Sequence, residues 1–535
     1  MKAVKRTYLQ ILLILLTITL MFPSEAWAQV TPLQEVRFLL RNYYVEPVKE
    51  DILNSPTIDA MLAKLDDPYT SFWTSQQYED FNNYLEQSYT GIGIYLEISD
   101  DGVIVTGLVS GSPSEKAGLQ VGDIITSLDS RSLKGLSPEE VAPLIIGPEG
   151  SWVQLTCQRA GTSFTVQVER VNIVIPSVTG EIKSFNTGYL EISSFASETS
   201  KLFAASLVNL RHQNPNSYII DLRDNGGGYV QSALNIAGYF IGDKLAVQVN
   251  YRDSSPYFER AVKHSYIVDK PTIFLINHDS ASASEILALA VRDHKKAVLI
   301  GTQSFGKGCG QQIFPLVDGG YLKMTNAYFR SPLNNSINKK GITPDLLIEK
   351  EDPLKVSLLL LSANDTESNN NGLIKLSLGS KSFVIDTEQA RKPEYWQAYG
   401  EILDKAGRGM MKGKSGFWES VTAQELTDRR SLYYPDYRLD KQVPEITVDN
   451  NLTIHFPQNI NLKTINQENI ELIANNSGER VPLVLEQLSA AELQAVPQKN
   501  LVPGTSYWLL LHPGIQYTDN TSLQSGVVFT TTVNP

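Results

Sequence analysis

The spacing of apolar residues changes along the chain, and these changes divide it into regions. Between residues 29 and 87 apolar positions recur at helical spacing, as at Leu33 and Val36. Between 88 and 172 they alternate with glycine and polar positions, which predicts short strands separated by turns. From 173 to 355 strand-like and helical stretches follow one another. The pattern predicts a helical N-terminal region, then a small β domain, then an α/β domain.

The α/β region contains two strand-like runs, 218–222 and 272–276, that are apolar almost throughout. Such runs are typical of strands buried on both faces of a sheet. Helices are predicted over 199–211, 229–240 and 283–293. This alternation favours an α/β layer built on a mostly parallel sheet.

The C-terminal third has two parts with different patterns. Residues 356–445 give one predicted helix, over 395–405, and a polar loop at 368–371. Residues 446–535 are rich in β-forming residues separated by turns, which predicts a small β-sandwich. Its predicted strands cover 446–448, 452–456, 470–473, 481–485, 508–511 and 527–532. The fold class is therefore multidomain α/β and β.

The first 28 residues have the pattern of a secretory signal peptide. A basic start at 2–6 precedes an apolar run at 8–22, and Ala26-Trp27-Ala28 has the small-x-small form of a cleavage site. The alternative is that residues 8–22 stay as a membrane anchor. In both cases the rest of the chain is expected outside the cytoplasm, in the extracellular space or the cell envelope.

Composition excludes several classes of function. The chain has 535 residues and a net charge of −12, which argues against a nucleic-acid partner because phosphate binding needs a basic surface. The two cysteines, Cys157 and Cys309, lie in different predicted domains, so we expect no disulfide. No Cys/His cluster has metal-ligand spacing, and we predict neither a metal nor an organic cofactor.

Three segments of the α/β region carry candidate chemistry: 221–228, 280–285 and 301–308. The first directly follows a predicted strand, and the second also comes after a predicted strand and opens a helix. Each has an ordinary interpretation alone, as a glycine turn, a serine helix cap or a solvated lysine loop. Neither glycine-rich segment has the spacing of a phosphate-binding loop.

Taken together, the segments predict a site for acyl transfer. A serine where a strand passes into a helix can point its hydroxyl into a cleft, and the N–H of Ala283 lies at the free donor end of that helix. Glycines in the first segment let the main chain approach and provide a second donor. Two such donors form an oxyanion hole, in which one hydrogen bond contributes about 3 kcal/mol.

None of the histidines lies in a motif that suggests a base. The six are His212, His264, His278, His294, His455 and His512, with His294 expected to be exposed. Lys307 replaces histidine if it is neutral, and burial can lower a lysine pKa by roughly 3–5 units. Its neighbours Phe305, Gly306 and Gly308 are consistent with a tightly packed, water-poor position.

Residues 29–350 resemble the carboxy-terminal processing peptidases, also called tail-specific proteases. Besides the three segments, the matching motifs lie at 65–70, 91–94, 112–113, 117–119, 122–123 and 341–345. The resemblance places the nucleophile at Ser282 rather than Ser280 or Ser284, and the base at Lys307. It also implies that Gln311 orients the lysine.

The same resemblance assigns the oxyanion hole to the backbone N–H groups of Ala283 and Gly227, with Gly226 as the alternative to Gly227. The sequence departs from the family pattern at Cys309 and Gly310, which follow the lysine, and at Asp279. A carboxylate at 279 near Lys307 would raise the lysine pKa and weaken it as a base.

The resemblance further implies that residues 88–172 form a circularly permuted PDZ domain. Gly91, Ile92, Gly93 and Ile94 would then capture the carboxylate of a protein tail, with isoleucine side chains that suit apolar tail residues. Residues 446–535 resemble a bacterial immunoglobulin-like domain, a module that usually serves as a spacer or for adhesion to the cell wall.

The function predicted is an exported serine endopeptidase with a Ser–Lys pair, acting on proteins with apolar C-terminal tails. Two alternatives stay open, a non-catalytic PDZ and Ig-like scaffold on an inactive peptidase core and a hydrolase of small esters. The sequence leaves membrane or cell-wall association and oligomerisation open. The domain boundaries predicted are 1–28, 29–87, 88–172, 173–355, 356–445 and 446–535.

Overall fold

The structure is a computed structural model that describes residues 31–363, 370–406, 409–440 and 451–533. The chain forms two compact units. One contains residues 31–82, Asn250–Ser255 and Cys309–Tyr328. The other contains Asn83–Val249, Pro256–Gly308 and the described residues from Phe329 onwards. The predicted signal peptide, residues 1–28, and the predicted strand at 446–448 lie outside the described residues.

The first unit combines helices with an antiparallel sheet. Strand Ser71–Trp73 pairs with Tyr321–Arg330, which pairs in turn with Cys309–Pro315. The core of this unit contains Val36, Leu40 and Met61. The helices of the N-terminal region are Pro32–Tyr43, Glu50–Leu53, Ile58–Leu65 and Ser75–Leu85.

The motif at 65–70 connects these helices to the sheet. The Asp67 carboxylate accepts hydrogen bonds from the Tyr69 N–H at 3.0 Å and the Thr70 hydroxyl at 2.6 Å. The Thr70 hydroxyl oxygen accepts one from the Thr325 N–H at 3.1 Å. The proline that ends the helical pattern therefore lies in a turn fixed by the aspartate before it.

Within the second unit, residues 88–174 form a β domain around its own apolar core. Helix Pro113–Lys116 follows the second strand of the sheet, and helix Pro138–Ile145 precedes the predicted closing hairpin. Strand Ser88–Gly91 pairs with Val171–Val174, which brings the two ends of the domain together. The sheet runs in the spatial order Ile94–Ser99, Gly102–Leu108, Ile124–Leu128, Trp152–Arg159 and Thr162–Glu169.

A six-stranded sheet forms the centre of the second unit. Only its first pair of strands is antiparallel, which confirms the prediction of a mostly parallel sheet. The three predicted helices are confirmed as Thr199–His212, Val230–Ile241 and Ala283–Asp293. The strand order is Val178–Lys183, Thr187–Ile192, Ser217–Asp221, Thr272–Ile276, Val298–Gly301 and Leu346–Leu347.

Both faces of this sheet are buried, as the apolar runs predict. In strand Thr272–Ile276, Phe274 contacts Phe240 of one helix layer edge to face, with ring centroids 5.2 Å apart. Ile273 and Leu275 belong to the core on the opposite face, together with helix Pro353–Leu360. The sheet is therefore the middle of three layers.

Residues 370–440 add a four-stranded antiparallel sheet and further helices, among them Pro393–Ala406 where 395–405 was predicted. The strand order is Lys381–Asp386, Leu373–Leu378, Met411–Lys414 and Phe417–Ser420. The other helices are Thr387–Ala390, Ala423–Asp428 and Arg430–Tyr433.

The C-terminal region forms two sheets around a shared core. The predicted strand 481–485 is wrong as a single element, since Arg480–Val481 belongs to one sheet and Leu483–Ser489 to the other. Pro482 lies between them and has no N–H to continue a ladder. The first sheet has the order Arg438–Leu439, Val527–Thr532, Ser506–Leu511, Ile470–Ala474 and Arg480–Val481; the second has Leu452–His455, Glu492–Pro497 and Leu483–Ser489.

Strand Ser506–Leu511 buries both of its faces. Leu509 and Leu511 point into the sandwich core, whereas Trp508 and Leu510 belong to the core that continues to the parallel sheet. The C-terminal sandwich therefore packs through apolar side chains on the part of the unit that contains the parallel sheet. None of the described helices has the length and apolar composition needed to span a bilayer.

We expect Trp396→Ala to lower the free energy of unfolding by about 3 to 5 kcal/mol, the usual loss for a large buried aromatic. Trp396 is 1% exposed, its ring lies 4.3 Å from that of Tyr433 and 5.7 Å from that of Trp508, and its indole N–H donates to the Asn475 carbonyl. Urea denaturation followed by circular dichroism measures the change. The control is Trp152→Ala, at 59% exposure, which should change little. Equal losses in both variants would contradict this packing account.

Candidate active site

The three candidate segments lie at one edge of the parallel sheet. They follow strands Ser217–Asp221, Thr272–Ile276 and Val298–Gly301, which are neighbours in the sheet. Because the carboxyl ends of parallel strands share an edge, the glycine turn, the serine segment and the lysine loop are brought together there. Ligand sites of open α/β sheets form at this edge.

Ser282 occupies a strained position at the start of helix Ala283–Asp293. Its φ and ψ are 56° and −113°, which a residue with a side chain rarely adopts, and it is only 8% exposed. Such conformations persist where the surrounding structure enforces them, and they cluster at functional sites.

The other two serines of the segment form structural hydrogen bonds. The Ser280 hydroxyl donates to the Leu222 carbonyl at 2.7 Å, and the Ser284 hydroxyl donates to the Asn225 carbonyl at 2.8 Å. Both side chains are fully buried. These contacts tie the serine segment to the glycine turn and favour Ser282 as the reactive hydroxyl.

Gly227 packs directly against the serine segment. It has φ +104°, and a Cβ on it would lie 2.8 Å from Ser282 Cβ and 3.0 Å from the Ala283 nitrogen. The close approach expected of a glycine in this turn is therefore present. At Gly226, by contrast, a Cβ would meet only the Tyr84 hydroxyl oxygen, at 3.9 Å.

The backbone donors differ from the expected free pair. The Gly227 N–H donates to Asn225 Oδ1 at 2.9 Å, so it is already bonded within its own turn. Ala283, as the first residue of the helix, has no carbonyl within the helix to accept its N–H. The prediction of two free oxyanion donors is thus not met at Gly227 in this conformation.

Asn225 holds the glycine turn in place, a role that the sequence analysis missed. It is fully buried, and its side-chain amide donates to the Ile192 carbonyl at 2.7 Å. Its own carbonyl accepts the Ala281 N–H at 3.0 Å. The Asn225 side chain thus connects the turn to strand Thr187–Ile192, and the Asn225 carbonyl connects it to the serine segment.

Glu285 is a second missed residue, and its carboxylate connects the serine segment to the lysine loop. Its Oε2 accepts the backbone N–H groups of Ser282 and Lys307, each at 2.9 Å. Its Oε1 accepts the Gly306 N–H at 2.8 Å and the Ser304 hydroxyl at 2.5 Å. Burial raises the pKa of Glu285 above its ordinary value, and these four hydrogen bonds oppose the rise. A glutamate three residues after a serine cap is a capping-box signal, which the sequence does contain.

The shared oxygen places Ser282 and Lys307 close together. Their backbone nitrogens are at most twice 2.9 Å apart, since both donate to Glu285 Oε2. The backbones of the two residues are therefore close, as the expected pairing of a serine hydroxyl with a lysine amine requires. Lys307 itself is half-buried.

The surroundings of Lys307 agree only in part with the expected dry position. Gly306 and Gly308 are tightly packed, since a Cβ would lie 2.6 Å from the Gly341 nitrogen or 2.4 Å from the Asn338 nitrogen respectively. Phe305 is 48% exposed and does not shield the lysine loop as expected. Its backbone N–H donates to the Ser280 carbonyl at 3.0 Å, and its ring contacts that of His278 edge to face, with ring centroids 6.0 Å apart.

Gln311 belongs to strand Cys309–Pro315 of the first unit, just after a bulge at Gly310. Its side-chain amide donates to the Cys309 carbonyl at 3.2 Å and lies 3.3 Å from the Cys309 sulfur. Cys309 and Cys157 are buried and are not joined in a disulfide, and burial raises the pKa of Cys157 to about 11.

Five of the six histidines have partners away from Ser282. His264 and His294 bond the Asn235 and Leu245 carbonyls, so the expected exposure of His294 is wrong; it is half-buried. The exposed Asp279 pairs with His278 at 3.3 Å. His455 and His512 pair with Glu492 and Glu471. Among the described residues no group of three or more histidine, cysteine or acidic side chains is arranged to hold a metal ion.

The predicted tail-binding loop has a different geometry from the one expected. Ile92 is fully buried and Ile94 is 8% exposed, both in the core of the β domain. The expectation that their side chains contact tail residues is therefore wrong. Gly91 ends one strand, and Gly93, with φ +79°, turns the chain into strand Ile94–Ser99 at the edge of the sheet. That edge can still accept an added strand.

Comparisons with known proteins agree with this architecture. A model of peptidase family S41 matches residues 186–348, which contain all three active-site segments, and a PDZ domain model matches 104–159. The carboxy-terminal processing protease CtpA of Bacillus subtilis (strain 168) is 33% identical over 60% of this chain and 69% of its own length.

Two further similarities extend the comparison. The carboxy-terminal processing protease CtpB of Bacillus subtilis (strain 168) is 32% identical over 78% of this chain and 88% of its own length. Among solved structures, a photosystem II D1 C-terminal processing protease is 26% identical, with a TM-score of 0.41 over 62% of this chain and 97% of that chain.

We expect Gly227→Ala to reduce the rate of peptide hydrolysis by about 100-fold, because a Cβ there would displace the Ser282 segment by an appreciable fraction of an ångström. The measurement is kcat on a fluorogenic peptide at a temperature where both proteins are folded. Gly226→Ala is the matched control: it keeps its N–H, has room for the methyl group, and should lose far less activity. Similar losses in the two variants would refute the close approach.

Proposed function

The chain belongs to the carboxy-terminal processing proteases of peptidase family S41 and is a serine endopeptidase, and we propose that it cleaves exported proteins with Ser282 and Lys307 after binding their C-terminal tails. The observation that carries the proposal is the single carboxylate oxygen of Glu285 that bonds the backbones of both residues. Family membership counts against the alternative of an inactive scaffold.

In the proposed reaction, the Ser282 hydroxyl attacks the scissile carbonyl while the neutral amine of Lys307 takes its proton. The carbonyl oxygen becomes an oxyanion, stabilised by the N–H of Ala283 at the positive end of its helix. Lys307 then returns the proton to the leaving amine as the peptide bond breaks. A water molecule then attacks the acyl-enzyme while Lys307 takes its proton, and Lys307 returns that proton to the Ser282 oxygen as the acyl–oxygen bond breaks.

Three further residues have roles in this proposal, two of them as alternatives. Gly227 acts as the second oxyanion donor if its N–H moves from Asn225 to the substrate. Gly226 is the alternative donor in the same turn. Gln311, four residues after Lys307, is assigned the orientation of the lysine on the basis of the family pattern alone. Replacing Gln311 with alanine tests that role, and unchanged kcat would exclude it.

The β domain supports the proposal of tail recognition. Strand Ile94–Ser99 lies at the edge of its sheet, where an extended tail can add as a further strand. The backbone around Gly91, Ile92 and Gly93 is then the candidate for binding the terminal carboxylate. Because the isoleucine side chains are buried, the contacts to apolar tail residues must come from other side chains along this edge.

Export and processing of the N-terminus are part of the proposal and are supported by the sequence of residues 1–28. Cleavage is expected after Ala28, which N-terminal sequencing of the mature chain measures. Retention through residues 8–22, association with the cell wall and oligomerisation remain compatible with this proposal.

Replacing Lys307 with arginine should lower kcat by about 10²- to 10⁴-fold, because a guanidinium stays charged and cannot accept the serine proton. Ser282→Ala should be at least as severe. The measurement is kcat on a peptide substrate, with Lys340→Arg, an exposed lysine of a neighbouring loop, as the matched control. Full activity in Lys307→Arg would eliminate the proposed base.

A peptide with an apolar C-terminus should bind the Ser282→Ala protein at least about tenfold more tightly than the same peptide with an amidated C-terminus. A charge-assisted hydrogen bond to the terminal carboxylate contributes about 1.5 to 3 kcal/mol. Fluorescence anisotropy measures both affinities on the full chain without cleavage. Equal affinities would show that the free carboxylate is not recognised.

A further inference from the structure

Glu285 is the most deeply buried charged group beside the proposed catalytic pair, and the reaction described above does not use it. It is 1% exposed, and its two oxygens accept four hydrogen bonds. Resting on the proposed function, we propose that Glu285 is a positioning residue, whose ionised carboxylate holds Ser282 and the loop carrying Lys307 in one fixed register.

The hydrogen bonds require the carboxylate form. Three of the four donors are backbone N–H groups, which cannot reverse direction. The fourth is the Ser304 hydroxyl, whose oxygen accepts the Ile342 N–H at 2.7 Å, so its proton points to Glu285. Two carboxylate oxygens offer about four acceptor positions, and all are in use. A proton on Glu285 would displace one of these donors.

The same network gives a role to the motif at 341–345. The Ser304 N–H donates to the Ile342 carbonyl at 3.1 Å, and the Lys339 N–H donates to the Gly306 carbonyl at 2.8 Å. Gly341 has φ +70°, and a Cβ there would lie 2.1 Å from the Ser304 carbonyl oxygen. The lysine loop is therefore held from one side by Glu285 and from the other by this motif.

The position of the carboxylate predicts an effect on rate rather than on binding. Glu285 is 1% exposed and its two oxygens already accept four hydrogen bonds from the protein, so substrate affinity should not depend on it. The distance between nucleophile and base does depend on it, and a misplacement of about 1 Å can cost roughly 100-fold in rate. A residue that only capped the helix would change stability and leave kcat unaltered.

The test is Glu285→Gln, which keeps the size of the side chain but offers one acceptor oxygen and an amide that opposes the N–H donors. We expect kcat to fall by about 100-fold with KM within about twofold of the parent, and labelling of Ser282 by a fluorophosphonate to slow in parallel. A folded variant whose kcat stays within about threefold of the parent, or whose loss lies in KM, overturns the proposal.

Glu401→Gln is the matched control for burying an amide in place of a carboxylate. Glu401 is 4% exposed and accepts the N–H groups of Glu349, Lys350 and Glu351 at 2.9 to 3.1 Å, in a part of the chain that the reaction does not use. We expect this variant to lose stability, measured by thermal denaturation, while kcat is unchanged. An equal loss of kcat in both variants would overturn the specific role of Glu285.

Ser304→Ala decides the question if Glu285→Gln does not fold. It removes one donor to Glu285 and the bond from Ile342, and kcat should fall by about tenfold with KM unchanged; an unchanged kcat overturns the proposal. Ser282→Ala separates this inference from the proposed function. If Ser282→Ala remains active, the assignment of the site fails; if it is inactive while Glu285→Gln is active, only the role of Glu285 fails.

Discussion

The site depends on one constraint, the burial of a parallel sheet on both faces. Strands Ser217–Asp221 and Thr272–Ile276 cannot leave the sheet without exposing apolar side chains on two sides, so their carboxyl ends stay fixed at one edge. The glycine turn and Ser282 follow those ends within a few residues, and Lys307 follows the end of the neighbouring strand Val298–Gly301. The precision of the site therefore comes from strands that contribute no reactive group, and short loops carry the chemistry.

The apolar core on one face of the parallel sheet also includes side chains from the C-terminal half of the chain. The core beneath the parallel sheet continues through helix Pro393–Ala406 to Trp508 and Val528 of the C-terminal sandwich. A sequence resemblance to immunoglobulin-like modules suggests a spacer, yet a spacer would have no reason to bury large side chains against the peptidase. In this chain the sandwich covers apolar surface that would otherwise face water, and it contributes to holding the sheet.

Local patterns predicted the elements well because periodicity and glycine signals depend on neighbouring residues. The helix at Ala283–Asp293 and the position of Ser282 follow from such signals. Hydrogen bonds between distant segments do not follow from such local signals. The bond from the Ser284 hydroxyl to the Asn225 carbonyl joins residues 59 positions apart, and the bond from the Lys307 N–H to the Glu285 carboxylate joins residues 22 positions apart. For the same reason, the sequence analysis predicted that the Ile92 side chain contacts a bound tail, whereas the structure buries it in the core of the β domain.

The bond from Gly227 to Asn225 bears on how an oxyanion hole can be selective for the transition state. In the resting turn the Gly227 N–H has a neutral amide oxygen as its acceptor. A substrate carbonyl is a similar neutral acceptor and gains little by replacing it, whereas a developing oxyanion is charged and forms a bond roughly twice as strong. If Gly227 is the second donor, its transfer from Asn225 stabilises the tetrahedral intermediate much more than the bound substrate. Only interactions of that kind raise kcat.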